Sequence, residues 1–234
     1  IIFEDEDLIV VNKTTGITVI PTRSGYPLSL KQMLETQFDY NIFVVHRIDR
    51  ETSGIVIFAK NEEAHKSLNH QFLKRIVTKE YLCLCKGNTS EEWETIDKSI
   101  LIDSRLKLVR ISNDGKRAIS HYKSLMNSKR YCKNLVRIET GRMHQIRVHM
   151  ASVGHPILGD SLYNKHPEIY LSSFKKKYTS SKGSDQEESL MKRAALHAYS
   201  LEILHPRTEE KIKFTAELPK DIKACWNQIE KWDT

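Results

Sequence analysis

The 234-residue sequence predicts an α/β (α+β) fold built on a mixed, largely antiparallel sheet with helices outside it. Three observations point there. The run Gly54 to Ala59 is continuously apolar, as a strand buried on both faces must be. Segments with apolar residues at helical spacing stand between shorter β-type runs. Turn chemistry marks breaks such as Asn113-Asp114-Gly115, and the turn Pro206 to Glu210 lets Lys211 to Thr215 pair back as a hairpin.

Taken in order, Ile1 to Lys13 reads as two β segments around an acidic turn. Pro27 to Phe38 reads as a short helix with Leu30, Met33, Leu34 and Phe38 on its apolar side. After the apolar strand, Asn61 caps a helix through Lys74, with Ala64, Leu68 and Phe72 on one face. Val77 to Gly87 is a strand closed by glycine, on which Cys83 and Cys85 share a face. Thr95 to Ile102, Lys116 to Leu125 and Asn134 to Glu139 are further strands. Gly141 breaks the last of these, and a helix follows to about Val153. Residues 165–193 contain Lys175-Lys176-Lys177 and a Ser/Lys/Gly-rich run. Their low hydrophobicity predicts an insertion exposed on the surface. Leu196 to Leu204 and Lys211 to Thr215 form a hairpin, and a C-terminal helix carries Trp226, Ile229 and Trp232.

Composition narrows the class. Hydrophobic residues are 39% and charged residues 29%, ordinary for a globular protein, and no apolar run nears the length of a membrane span. The net charge of +7 suits a polyanionic partner. The four cysteines form no CxxC pair, and His65/His70 and His144/His149 lie five apart, off a common helical face. No metal site is expected, and the thiols read as reduced, in the cytoplasm. The numbering begins at Ile1 rather than at an initiator methionine, which leaves room for a preceding targeting segment or small domain.

The chemistry centres on His46-Arg47-Ile48-Asp49-Arg50-Glu51-Thr52-Ser53-Gly54. One carboxylate lies between two guanidinium groups on a loop entering the buried strand. Adjacent opposite charge favours the ionised carboxylate, which can act as a nucleophile toward a sugar's anomeric carbon. By themselves, most Asp-Arg neighbours are structural ion pairs. The whole string HRIDRETSGIVIFAK, however, resembles the catalytic signature of the RluA-like pseudouridine synthases, which modify ribosomal and transfer RNA. Lys79-Glu80-Tyr81, Gly141-Arg142-Met143-His144-Gln145-Ile146-Arg147 and Gly154-His155-Pro156-Ile157-Leu158-Gly159-Asp160 resemble further family segments. So does the ending from Leu196-His197-Ala198 to Leu218-Pro219. Thr14 departs from the family's Asn-Lys-Pro-x-Gly, and loss of proline there is expected to relax the loop.

The resemblance implies a single pseudouridine synthase domain over 1–234, with an RNA-binding cleft and the polar insertion at about 165–193. It makes Asp49 the catalytic carboxylate and Tyr81 the active-site tyrosine, and it pairs Arg147 with Asp49. Arg47, Arg50, Arg142, His144 and Gln145 become RNA contacts. Without the resemblance, Tyr81 is a half-buried strand aromatic and Arg147 a surface arginine on an amphipathic helix. The implied reaction breaks the N1–C1′ bond of uridine, turns the base and bonds C5 to the same carbon. Being an isomerisation, it demands no cofactor. Asp49 either adds to C1′ or deprotonates the sugar, and the residues leave both routes open. The expected partner is ribosomal or transfer RNA, with no membrane association, and the expected state a monomer. The alternative from another class is an RNA-binding or chaperoning module of the same fold without turnover. A nucleoside or glycoside hydrolase would need a second carboxylate that the matched motifs lack.

Overall fold

The β-branched and apolar residues on either side of the acidic turn form β1 (Phe3–Glu4) and β2 (Leu8–Lys13), paired antiparallel. The computed structural model describes residues 1–22, 27–103, 108–175, 178 and 187–233. The elements that follow are α1 (Leu30–Phe38), β3 (Phe43–Val44), β4 (Ser53–Ala59), α2 (Glu62–Leu73) and β5 (Thr78–Lys86). Then come β6 (Glu94–Asp97), β7 (Ile100–Asp103), β8 (Leu108–Ile111), β9 (Ile119–Asn127) and β10 (Tyr131–Ile138). The chain ends with α3 (Gln145–Ser152), β11 (Leu196–Leu204), β12 (Lys211–Thr215) and α4 (Lys220–Trp232). These residues group into two units, 1–81 with 197–217, and 82–196 with 218–234.

In the first unit the strands lie in the order β1-β2-β4-β11, with β12 beside β11 and β3 beside β4. Of these pairs, β4 and β11 run parallel and the others antiparallel. Every residue of β4 is buried, as its unbroken apolar run requires. Ile55 and Ile57 join Leu8, Val10 and the α2 residues Ala64 and Leu68 on one face. Val56 and Phe58 join Ile9, Val11, Ile48 and the α1 residues Leu30 and Leu34 on the other. Each fully buried aliphatic side chain contributes about 1.5–3 kcal/mol, so the two layers fix the position of this strand. Both helices start where the sequence provides a cap. Asn61 accepts from the Ala64 N–H, and Ser29 forms a capping box with Gln32.

The second unit pairs β10 with β9 and β9 with β6, all antiparallel. The expected strand 95–102 is two strands, β6 and β7, and β7 turns back onto β8 as a separate hairpin. Helix α3 covers that hairpin through Val148, which packs with Ile100, Val109 and Ala118. All four cysteines are free and buried, and the Cys83 and Cys85 sulfurs lie 3.5 Å apart, as two residues on one strand face should.

The described residues of the segment 165–193 lie mostly at the surface, but a few of them anchor it to the core. Ile169 and Met191 are 2% and 3% exposed, and the Leu190 N–H donates to the Ile169 carbonyl. Arg193, also buried, makes a bidentate ion pair with Asp221 of α4. The polar residues that surround these isolated anchors conceal them in the sequence. Lys176, Lys177 and residues 179–186 lie outside the described residues.

Candidate active site

Asp49 sits on the loop between β3 and β4, and the neighbouring residues fix that loop from both sides. Before it, Ile48 is buried in the core. After it, Ser53 Oγ lies 3.0 Å from His197 Nδ1. Gly54 has φ +111°, and a Cβ there would stand 2.2 Å from the Ala198 carbonyl oxygen. Only glycine permits this backbone and this approach, which explains the Gly54 that closes the motif.

The loop 13–17 forms the second support. Lys13 is 2% exposed, and its ammonium donates to the carbonyls of Thr14, Ile17 and Arg50 at 2.9, 2.9 and 3.1 Å. Gly16, at φ +87°, donates its N–H to the Arg50 carbonyl and accepts from Arg50 Nε, both at 2.9 Å. Thr15 Oγ1 donates to the Glu51 carbonyl at 3.0 Å. Bonds to a charged donor are roughly twice as strong as neutral ones. This loop is therefore held by Lys13 and the hydrogen bonds to the Asp49 loop, in place of the proline that Thr14 replaces.

Asp49 itself is half-buried. Its backbone carbonyl accepts from the Thr52 N–H, while among the described residues nothing donates a hydrogen bond to its carboxylate. Nor do the flanking arginines pair with it: Arg50 is turned to Gly16, and Arg47 is exposed. The expected Arg47–Asp49–Arg50 ion pairing is therefore absent, because the loop backbone recruits one of the two guanidinium groups. Tyr81, on β5, packs against the same core layer as Ile48. Burial pushes its phenol well up from the ordinary value, and the Asp49 carboxylate adds to the rise. The phenol thus keeps its proton at neutral pH. His46 is fixed as a neutral ring. It accepts the Ile57 N–H through Nε2 and stacks on Phe72 at 4.9 Å, and burial brings its pKa down to about 3.

In the second unit, Arg147 is 4% exposed, not the surface arginine that an amphipathic helix alone predicts. Its Nε and Nη2 donate to the two Asp160 oxygens at 2.8 and 2.7 Å. Its guanidinium lies over the Tyr163 ring, 5.2 Å from the centroid. Asp160 also accepts the N–H groups of Leu162 and Tyr163. The Gly159-Asp160 segment was legible as a motif, but nothing in the string named Arg147 as its partner. His144, partly exposed in the left-handed region at φ 52°, lies 2.9 Å through Nδ1 from the Tyr163 hydroxyl. Arg142 is exposed.

Gln145 does not fit the RNA contact that the resemblance implies. It is 3% exposed, its Oε1 accepts from Thr140 and the Arg142 N–H, and its Nε2 donates to Ile119 and Ser120. An amide with donors and acceptor used inside the fold joins α3 to β9. Asp5, Asp7 and His205 place potential metal-ligand atoms within 4.8 Å of one another. Arg207 bridges both Asp7 oxygens and His205 pairs with Asp5, which makes this an ion-pair network.

Asp49 thus stands on a braced loop of the first unit, and its charge reaches the Tyr81 phenol. The profile of the RNA pseudouridylate synthase family matches residues 7–152. "Uncharacterized RNA pseudouridine synthase YhcT" of Bacillus subtilis is 34% identical over 231 residues, covering 95% of this chain and 70% of that protein. "Ribosomal large subunit pseudouridine synthase D" of Zymomonas mobilis is 32% identical, over 98% of this chain and 72% of its own. The solved structure of human RNA pseudouridylate synthase domain containing 1 superposes with a TM-score of 0.71 at 26% identity. That match covers 96% of this chain and 86% of the human one. The chain belongs to the RNA pseudouridylate synthase family, and the non-catalytic alternative is not favoured.

Proposed function

We propose that this isomerase acts on specific uridines of structured ribosomal or transfer RNA, with Asp49 as its catalytic carboxylate. The observation that carries the reading is the geometry of Asp49: a doubly braced loop presents a carboxylate to which, among the described residues, nothing donates a hydrogen bond, and whose charge reaches the Tyr81 phenol. Both routes to C1′ chemistry, addition to that carbon or removal of a sugar proton, need such an unengaged carboxylate. The ribosomal assignment is supported by the names of relatives such as the Zymomonas mobilis enzyme.

The remaining roles rest on the family resemblance. Arg147 would balance the Asp49 charge in addition to binding Asp160. Arg47, exposed beside Asp49, would occupy the position vacated by the extruded base or grip the adjoining phosphate. Arg50, Arg142 and His144 would contact the RNA backbone. We further propose that the two units act as one catalytic domain over 1–234, as a cytoplasmic monomer. Among the described residues no helix is long and apolar enough to cross a membrane.

Tyr81 offers the uracil a flat face. The hydrogen on C5 must leave after the new carbon–carbon bond forms. A protonated phenol can take it only while passing its own proton on, so Tyr81 either relays this proton or orients the group that accepts it. Asp49→Asn and Asp49→Ala test the central role. Both should abolish pseudouridine formation in RNA from cells lacking the gene, with RNA affinity kept within about tenfold, since phosphate contacts dominate binding. Turnover above a trace by either variant refutes the assignment.

A further inference from the structure

A cavity of about 680 Å³ lies in the second unit, where the β9–β10 turn, the segment 172–175 and the end of α4 meet. Its volume is that of sites taking molecules of nucleotide size. The walls combine two chemistries. Trp232 and Phe174 supply flat apolar faces, and Lys129, Arg130 and Lys175 supply positive charge. The Lys175 ammonium stands 4.9 Å from the Trp232 ring centroid, and the Arg130 guanidinium 5.5 Å from that of Phe174.

The single acid in the lining is already engaged. Asp233, 2% exposed, accepts from Arg130 Nε at 2.6 Å, and from the Arg130 N–H and Ser128 Oγ at 2.8 Å. Arg130 Nη1 in turn donates to the Ser173 carbonyl at 3.1 Å. Asp233 thus fixes the cavity wall instead of repelling an anion, and three cations against one carboxylate leave a net positive lining. Outside the cavity, Glu187 accepts the Ser172 N–H.

Aromatic rings overlaid by cationic side chains, Trp232 by Lys231 at 5.0 Å as well as by Lys175, select a ligand that is flat and anionic at once, for whose base the flexible lysines must swing off the ring. We infer that this cavity holds an unpaired nucleotide of the RNA, its base against Trp232 or Phe174 and its phosphate between Lys129 and Lys175. The inference rests on the RNA reading above and adds to it a second contact, built by residues that the catalytic signature does not include. The net charge of the whole chain, +7, fits a strand of phosphates better than one free nucleotide.

The probe is a short fluorescein-labelled oligouridine, with one 4-thiouridine for crosslinking, titrated into the full chain across a range of salt. Lys129→Ala with Lys175→Ala should weaken binding about tenfold and reduce the log–log salt slope by about 0.7, the value for one lost phosphate on a single strand. Trp232→Leu should also weaken binding about tenfold, without changing the slope, because it removes only stacking. Light should attach the thiouridine to Trp232 or Phe174 in the wild type. Normal affinity and slope in the lysine variant, whose substitutions lie on the surface, overturn the cavity assignment. Displacement of the oligomer by uridine monophosphate at equal concentration overturns the RNA strand as occupant. If the wild type isomerises RNA while these variants bind like it, only this inference fails. If the wild type neither binds the oligomer nor forms pseudouridine in RNA, the functional reading fails with it.

Discussion

Replacing Gly54 by alanine tests how the active-site loop is held. The added Cβ would meet the Ala198 carbonyl oxygen at 2.2 Å and the Ala198 nitrogen at 2.7 Å, and backbone cannot swing aside as a long side chain can. The residue would also adopt φ +111°, where strain costs about 1–3 kcal/mol. Forcing extra volume into packed structure costs about 1–3 kcal/mol more. The sum, roughly 4 kcal/mol, corresponds to about 8–16 °C in melting temperature for a chain of this size. Gly16→Ala is the control. Its φ is +87°, but nothing lies within 4 Å of the built Cβ, so it should bear only the conformational cost, about 1–2 kcal/mol. Thermal unfolding followed by circular dichroism measures both. If Gly54→Ala melts within about 2 °C of Gly16→Ala, close packing of β4 on β11 does not explain the glycine.

Arg147→Met should destabilise the protein by about 3–5 kcal/mol, because it leaves the buried Asp160 without its bidentate partner. Asp160→Asn should destabilise it comparably, with strong non-additivity in the double variant; additive effects in denaturant titrations would rule the pairing out. Tyr81→Phe should bind RNA normally yet release tritium slowly from C5-labelled uridine, and unchanged release would restrict Tyr81 to stacking. Acid should erode stability between about pH 6.5 and pH 3, the interval separating the unfolded and folded values of His46. There the unfolded chain binds a proton that the buried folded ring refuses, so stability rises with pH. His149 is depressed in the same direction by burial. A His46→Gln variant should therefore lose part of this slope, and identical pH dependence would argue against a buried neutral His46.

The sequence made some elements legible and hid others for physical reasons. The strand 53–59 and the helix behind Asn61 were readable because burial on both faces and a capping side chain leave local signatures. The strand 108–111 carries only four residues and was missed, and the stretch 95–102 blurred two strands into one. Asp49 and Tyr81 were named by motif, and their proximity needed the fold. The sequence places Lys13 at the end of an opening strand that resembles the family's, but no pattern says that a lysine will bury its ammonium among three carbonyls. Gln145 misled for a related reason. Amides suit RNA and interior networks equally, and only the four partners around it decide.

The late return of the chain to its first unit bears on how the enzyme matures during synthesis. The backbone against which Gly54 packs, and the ring that Ser53 meets, belong to residues 197 and 198. A ribosome making about 5–20 residues per second needs roughly 7–30 s between Gly54 and Ala198. Throughout that interval the apolar strand 53–59 lacks its parallel neighbour, and such an edge invites pairing with other chains. The enzyme therefore acquires its braced carboxylate only after residues 197 and 198 have emerged, and a chain stopped short of residue 197 carries the signature without the support that shapes it.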